Sequence, residues 1–374
     1  MSEKITYKDA GVNVDLGNEA SKIFYKASKL SWNNRVGKFG EVKSSQNSFS
    51  GLRFLDLGDT PKGTKVSLSS DGIGTKVEIA ERMKNHSTIA FDLIAMVADD
   101  AVVRGGVPIS LATVLDVNSL SKDKNVFKYL QQLGEGYTKA ADSAGISISN
   151  GELAELPDRI CGYGDFNYNW GSTLLWASTS DKLIDGSKVE VGSSVVFLQE
   201  KGFRSNGFSL LRKIMKSNFG DEWHNKEVDG IKLGEEALIP STIYCKCVVD
   251  MIGDLGEDAK CNVQAVSHIT GGGVPEKLGR VLEEVNLGLE LDNLYTPNAL
   301  MLKCQELASI PDEEIYKTWC MGQGMAIITN EPEKVIAIAK EHNIDAKVGG
   351  KIVSGQKIRI KSQGFFKKDE WLEF

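Results

Sequence analysis

The hydrophobic and polar positions along the chain follow two periods, one typical of strands and one typical of helices. Lys65–Ser69 alternates polar and apolar side chains, as a half-buried strand does. Asp92–Val103 places Leu93, Met96, Val97 and Ala101 on one helical face. Val126–Ala144 repeats the helical spacing and precedes Gly145, a residue typical of helix ends. The first half of the chain therefore combines strands with helices.

The same alternation restarts after a polar, turn-rich stretch at Ser178–Lys188. The chain has 374 residues, more than the roughly 250–300 at which single cores stop growing. We therefore predict a mixed α/β (α+β) protein of two similar domains, residues 1–180 and 181–374. Further strands are predicted at Ser172–Ser178, Ser194–Leu198, Val263–Ser267 and Gly324–Thr329, and helices at Phe208–Met215, Ser241–Ile252, Pro297–Leu307 and Pro332–His342.

Composition narrows the class of protein. The formal net charge is -7, which disfavours a nucleic-acid binder because such proteins cluster Lys and Arg. No apolar stretch reaches the ~20 residues that cross a bilayer, and the six cysteines lack the paired spacing of a zinc site. We expect a reduced, cytoplasmic protein that binds neither nucleic acid nor membrane. Glycine is unusually frequent, with 38 residues, whereas proline is scarce, with 8.

One glycine-rich hexapeptide follows the first predicted strand: Asp71-Gly72-Ile73-Gly74-Thr75-Lys76. Its two glycines let backbone N–H groups turn toward an anion, and Lys76 adds a positive charge. Asp71 could hold a metal ion. A tight hairpin turn is the alternative interpretation. The pattern is not that of a Walker A loop, which does not occur in this chain.

Acidic residues recur near that loop. Asp92 and Asp99 lie seven apart in the predicted helix, so both can project from one side, and Asp100 follows. Glu152 and Glu155 follow the strand-like segment 146–149. Carboxylates are costly in an apolar helix unless they are paired or bind a cation, and Mg²⁺ prefers such oxygen ligands. The hypothesis is a Mg²⁺ site, and the alternative is an exposed helix face.

Two further glycine loops lie in the second half. Lys201–Gly207 precedes a predicted helix, and its backbone amides and Ser205 would suit a phosphate. His268–Gly273 follows a predicted strand and ends in three glycines, which indicates close approach of a ligand to the backbone. His268 taken alone is as well explained as a buried histidine with satisfied hydrogen bonds. These features indicate a phosphate- or nucleotide-handling enzyme.

The blocks, in this order, resemble the phosphoribosylformylglycinamidine cyclo-ligase (aminoimidazole ribonucleotide synthetase) family. The matching segments are Tyr7–Asp15, Asp71–Lys76, Phe91–Met96, Gly151–Pro157, Ser205–Leu210, Pro240–Tyr244, His268–Gly273 and Met321–Met325. The resemblance implies ATP-dependent closure of an imidazole ring, with release of ADP and phosphate. It also implies a homodimer in which strands of both N-terminal domains form one barrel.

The resemblance also implies a role for individual residues. Lys76 would contact ATP phosphate and act in catalysis, and His268 would carry a proton. The remaining assignments are Asp71, Gly72, Gly74, Thr75 and Asp92 at ATP phosphates; Asp71, Asp100 and Glu152 at Mg²⁺; and Ser205, Asn206, Gly207, Thr270, Gly271 and Gly272 at the substrate.

Several positions depart from the family pattern. The departures are Asp99 for Asn, Thr113 for Asp, Leu153 for Thr, Asp158 for Gly, Arg204 for His and Cys320 for Asn. Because they fall at expected ligand contacts, two alternatives stay open. One is a relative that phosphorylates another small substrate, and the other is a weakly catalytic, nucleotide-binding paralogue.

Overall fold

A computed structural model of the chain describes residues 13–44, 53–121 and 124–374. Most of the expected opening block, residues 7–12, lies outside the described residues. The division of the chain at residue 180 stays a prediction. The elements before residue 180 are α1 (Val14–Ser31), β1 (Glu41–Ser44), β2 (Arg53–Asp56), β3 (Lys65–Gly72), α2 (Val77–Met83), α3 (Ile89–Val103), β4 (Val107–Val117), α4 (Lys124–Ala144), β5 (Ser147–Glu155) and β6 (Tyr168–Ser178).

Strands β3 to β6 form a four-stranded sheet in the order β3-β6-β4-β5. β6 runs antiparallel to both of its neighbours, while β4 and β5 are parallel and are connected by α4. α3 packs against β3, β4 and β6, and α4 packs against α1 and α3. β3 is an edge strand whose side chains are largely exposed, including Val66 and Leu68. The prediction that this strand is half-buried therefore overestimates its burial within a single chain.

A seven-stranded sheet forms the second half, in the order β10-β12-β7-β13-β11-β14-β15. Its strands are β7 (Ser194–Gln199), β10 (Val263–His268), β11 (Leu287–Leu291), β12 (Gln323–Thr329), β13 (Ala346–Ser354), β14 (Ile358–Lys361) and β15 (Trp371–Glu373), and a two-stranded ribbon is formed by β8 (Glu227–Val228) and β9 (Ile231–Lys232). The helices are α5 (Phe208–Phe219), α6 (Leu233–Ala237), α7 (Cys245–Ile252), α8 (Gly273–Glu283), α9 (Ala299–Ala308), α10 (Asp312–Thr318) and α11 (Pro332–Glu341).

α3 is the element that joins the two sheets. Nearly every one of its side chains is buried, and it contacts both α7 and β10 in addition to the first sheet. Buried apolar residues of both halves form one continuous cluster around it. Across the described ranges, no helix is both long enough and apolar enough to span a membrane.

Two predicted boundaries were wrong in an informative way. The helix predicted at Ser241–Ile252 begins only at Cys245, and the N–H groups of Ser241 and Thr242 before it donate to the carboxylates of Asp92 and Glu200. Glu152 lies within β5 and not after the strand. The other predicted elements differ from the observed ones by a few residues at their ends.

Candidate functional site

Three glycine turns converge beside α3. The turn after β3 takes Gly74 through φ +67°, and a Cβ there would lie 3.8 Å from the carbonyl oxygen of Ser205. A Cβ on Gly271 would lie 3.6 Å from Nδ2 of Asn206. The structure thus brings together the predicted nucleotide turn, the predicted substrate turn and the loop after His268, although they are distant in sequence.

Lys76 and Asp92 form a fully buried ion pair at the base of this junction. Lys76 Nζ lies 2.7 Å from Asp92 Oδ1 and also donates to the Ile239 carbonyl at 2.6 Å. The same Oδ1 accepts from the backbone N–H of Ser241 at 3.0 Å and from its hydroxyl at 2.5 Å. Burial raises the pKa of Asp92, and the neighbouring ammonium opposes that rise. A carboxylate buried without a positive partner is costly, and Asp92 has such a partner. The partner is the ammonium of Lys76 and not a metal ion.

Arg204 is the centre of a second buried ionic cluster, with Asp99 on one side and Glu200 on the other. Its two terminal nitrogens lie 2.8 Å from Asp99 Oδ2 and 2.8 Å from Glu200 Oε2. The remaining oxygen of Asp99 accepts the N–H groups of Tyr244 and Cys245 at the start of α7. Burial alone would lower the pKa of Arg204, but the two carboxylates raise it above its usual range. Asp99 thereby connects α3, α7 and the glycine turn.

His268 lies next to Arg204, with both ring nitrogens hydrogen-bonded. Nε2 is 2.6 Å from Arg204 Nη2, and Nδ1 is 2.7 Å from Asp100 Oδ1. Burial raises the pKa of Asp100, but the hydrogen bond with His268 and the nearby positive charges together lower it overall. The ring itself is almost fully buried, whereas the Asp100 side chain is about half exposed.

Asp71 and Glu152 line a cavity of about 560 Å³ on the four-stranded sheet. The strand register places Asp71 opposite Ser172, Ser172 opposite Thr113, and Thr113 opposite Gly151. Three strand spacings of ~4.8 Å therefore separate the backbone at Asp71 from that beside Glu152. Asp100 lines a different cavity, together with His268. Within the part of the chain that the structure describes, no three His, Cys, Asp or Glu side chains are grouped to hold a metal ion.

The predicted substrate-binding residues belong to the two glycine turns that come from the second half of the chain. Gly207 has φ +75° and lies against the indole of Trp319, while Gly272 has φ +90° just before α8. Thr270 is buried, and Oδ1 of Asn206 is buried without a hydrogen-bond partner in the structure. A bound ligand with a hydrogen-bond donor would satisfy this buried acceptor at the glycine turn.

The structure shows the surroundings of four positions at which the sequence is expected to depart from the family pattern. Thr113 accepts a hydrogen bond from the Tyr137 hydroxyl at 3.1 Å and lies in the wall between two cavities. Leu153 lines the smaller cavity, of about 180 Å³. Cys320 is buried, with Sγ 3.6 Å from the Gly202 carbonyl oxygen. Asp158 is exposed.

Sequence reasoning missed Glu200 and Ser241. Glu200 comes directly after the apolar strand β7, and a buried acid at a strand end was a usable signal. Ser241 gives no such signal, because its partner Asp92 lies 149 residues away.

Two models of one family match most of the chain. The N-terminal domain of AIR synthase related protein matches residues 54–168, and the C-terminal domain matches residues 190–363. A phosphoribosylformylglycinamidine cyclo-ligase of Methanocaldococcus jannaschii is 33% identical over 95% of this chain and 94% of its own length. One from Methanococcus maripaludis is 32% identical over 93% of this chain and 92% of its own length.

Solved structures share the fold at much lower identity. E. coli HypE has a TM-score of 0.60 at 16% identity, covering 95% of this chain and 96% of that chain. A hydrogenase maturation protein HypE in complex with ATP has a TM-score of 0.59 at 14% identity, covering 97% and 95%. Thiamine-monophosphate kinase from Stenotrophomonas maltophilia has a TM-score of 0.58 at 12% identity, covering 92% and 97%.

Proposed function

The chain belongs to the AIR synthase-related family, and we propose that it closes the imidazole ring of aminoimidazole ribonucleotide. The substrate is formylglycinamidine ribonucleotide, and ATP is converted to ADP and phosphate. The observation that carries the proposal is the approach of the nucleotide turn at Gly74 to the substrate turn at Ser205. A transfer from ATP to a second phosphorylated ligand requires the two ligands to lie next to each other, and two adjacent anion-binding turns would hold them so.

In the proposed reaction, the formyl oxygen of the substrate takes the γ-phosphoryl group of ATP. The substrate's own amine nitrogen then attacks the same carbon, and phosphate departs with that oxygen. Backbone N–H groups of Gly74 and Thr75 hold the ATP phosphates, and that of Gly72 joins them once it leaves Asp71 Oδ1, to which it donates at 2.7 Å. Ser205 and Asn206, with the Thr270–Gly272 loop, hold and orient the substrate, and the buried acceptor of Asn206 would gain a donor there.

Two assignments need a rearrangement of the contacts described above. Lys76 reaches a phosphate only if its ammonium leaves the Ile239 carbonyl oxygen. His268 carries a proton only if one of its two ring hydrogen bonds breaks. Both roles stay predictions.

The predicted Mg²⁺ is not supported by the donor geometry of one chain. Asp71 and Glu152 lie on the two outer strands of the sheet, and Asp100 lines another cavity. We derive no step of the reaction through the metal ion.

The proposed homodimer rests on the exposed sheet. The edge strand β3 leaves Val66 55% and Leu68 63% exposed, and Val114 of β4 is 48% exposed. Apolar side chains on an unpaired edge strand favour pairing with another chain. Leu68→Glu is expected to shift the sedimentation coefficient to that of a monomer. Leu183→Glu, at an exposed leucine beyond the sheet, is the matched control. A monomeric wild-type chain would contradict the dimer.

The test of function measures ADP and free phosphate from the purified chain with ATP and Mg²⁺. Formylglycinamidine ribonucleotide is expected to stimulate both products equally, because a ring closure releases the phosphate. A kinase of the same fold would instead yield ADP with phosphate bound to its acceptor, and that is the second function that the departures at Thr113 and Arg204 favour. ATP binding with no stimulated ADP release would indicate the weakly catalytic paralogue and reject the ligase.

A further inference from the structure

Arg204 combines a strained backbone with a fully buried charge. Its φ is +57°, in the left-handed region that is unfavourable for a residue with a Cβ. Its side chain is 1% exposed and lies between α3 and the second sheet. A strained residue persists where its surroundings hold it strongly, and such residues cluster at functional sites.

The guanidinium is held by four acceptors on separate segments. Nη1 donates to Glu200 at 2.8 Å and to the Thr242 carbonyl at 3.1 Å. Nη2 donates to Asp99 at 2.8 Å and to His268 Nε2 at 2.6 Å. The planar guanidinium of arginine presents separate N–H donors to these four acceptors, whereas the ammonium of lysine is a single point charge.

The contact with His268 determines where the imidazole proton lies. A guanidinium has only donors, so Nε2 of His268 must accept and cannot carry a hydrogen. The proton of the neutral ring is then on Nδ1, 2.7 Å from Asp100 Oδ1. Arg204 therefore directs the N–H group of His268 toward Asp100.

We propose that Arg204, anchored by Asp99, is a positioning residue that fixes His268 as the Nδ1–H tautomer and orients Asp100. The same anchor holds the neighbouring turn at Ser205–Gly207 against α3. Asp99 and Arg204 form a buried ion pair 2.8 Å apart, so their contributions to stability are coupled. This inference does not depend on which reaction the site performs.

Nitrogen NMR of the histidine-labelled protein tests the tautomer directly. The chain has only four histidines, and His268→Gln identifies the resonance of interest. We expect a pyridine-type Nε2 and a pyrrole-type Nδ1 in the wild type. Arg204→Met, which cannot donate, is expected to move proton density onto Nε2. Arg212→Met is the matched control, because Arg212 pairs with Glu78 and not with His268.

Either of two spectra would overturn the proposal: a wild-type His268 protonated on Nε2, or an Arg204→Met spectrum identical to that of the wild type. The wild-type spectrum decides the first point even if Arg204→Met fails to fold.

Urea denaturation tests the coupling of Asp99 and Arg204. Each single change, Asp99→Asn or Arg204→His, is expected to lower the denaturation midpoint, because it leaves a buried group without its partner. The double variant no longer has an Asp99 charge that has lost Arg204, and its midpoint is expected to exceed that of Arg204→His alone. Additive losses would reject the coupling.

Discussion

Replacing Lys76 with Met is expected to destabilise the protein strongly. Lys76 and Asp92 are both 0% exposed and 2.7 Å apart, so the substitution leaves a carboxylate buried without its cation. Removing one partner of a buried ion pair costs about 3–5 kcal/mol. The Ser241 donors still reach Asp92, but they are neutral and replace the ammonium only in part.

The double variant Lys76→Met, Asp92→Asn separates the charge from the packing. An Asn oxygen can still accept from both donors of Ser241, and no buried charge is left unpaired. We expect it to recover at least half of the free energy of unfolding that the single variant loses. Lys232→Met, at an exposed pair with Glu235, is the control and is expected to change stability little.

Urea denaturation of the four proteins, with the ATP assay run beside it, is the measurement. A single variant within about 1 kcal/mol of the wild type would refute the buried pair, because that is well below the cost of an uncompensated charge. If Lys76 also contacts ATP phosphate, the double variant regains stability and still fails to release ADP. Full activity in the double variant would reject the catalytic role.

Three further predictions concern pH and packing. Burial raises the pKa of Glu81 to about 7, so the folded protein holds a proton that the unfolded chain releases near pH 4.5. The free energy of unfolding of the wild type is therefore expected to fall by up to about 3 kcal/mol between pH 4.5 and 7. Urea titrations of Glu81→Gln are expected to lack this loss. Burial lowers the pKa of His86 to about 3, so wild-type stability falls as pH drops from 6.5 toward 3, and His86→Phe is expected to lack that fall; parallel wild-type and variant curves would contradict it. Gly207→Ala would place a Cβ 2.0 Å from Trp319 Nε1 and is expected to cost about 2–4 kcal/mol by denaturation, whereas Gly220→Ala meets no atom within 4 Å and is expected to cost less.

Local features of the fold were predictable from the sequence. The strand before Asp71 and the helix that carries Asp92 and Asp99 follow from short-range periodicity, and the structure confirms both elements. The seven-residue spacing of the two aspartates also places them correctly, since both accept hydrogen bonds from the segment before α7. The resemblance to the cyclo-ligase family is confirmed by the matching domain models together with the similar cyclo-ligases.

The partners of the charged residues were not predictable in the same way. Ser241 donates to Asp92 across 149 residues, and Arg204 reaches Asp99 across 105, so neither pairing leaves a periodic signal. The start of α7 was not predictable for the same reason, because the N–H groups of Tyr244 and Cys245 at its first turn donate to Asp99, a residue of a distant segment. Long-range carboxylates decide this part of the site, and only the tertiary structure shows them.

The most direct test of the proposed reaction follows one oxygen atom. Formylglycinamidine ribonucleotide labelled with heavy oxygen at the formyl group is incubated with the protein and ATP, and the phosphate is examined by mass spectrometry. Ring closure through a phosphorylated formyl oxygen predicts one labelled oxygen in each phosphate released, in step with formation of aminoimidazole ribonucleotide. Unlabelled phosphate, or ADP release without the imidazole product, would contradict the account.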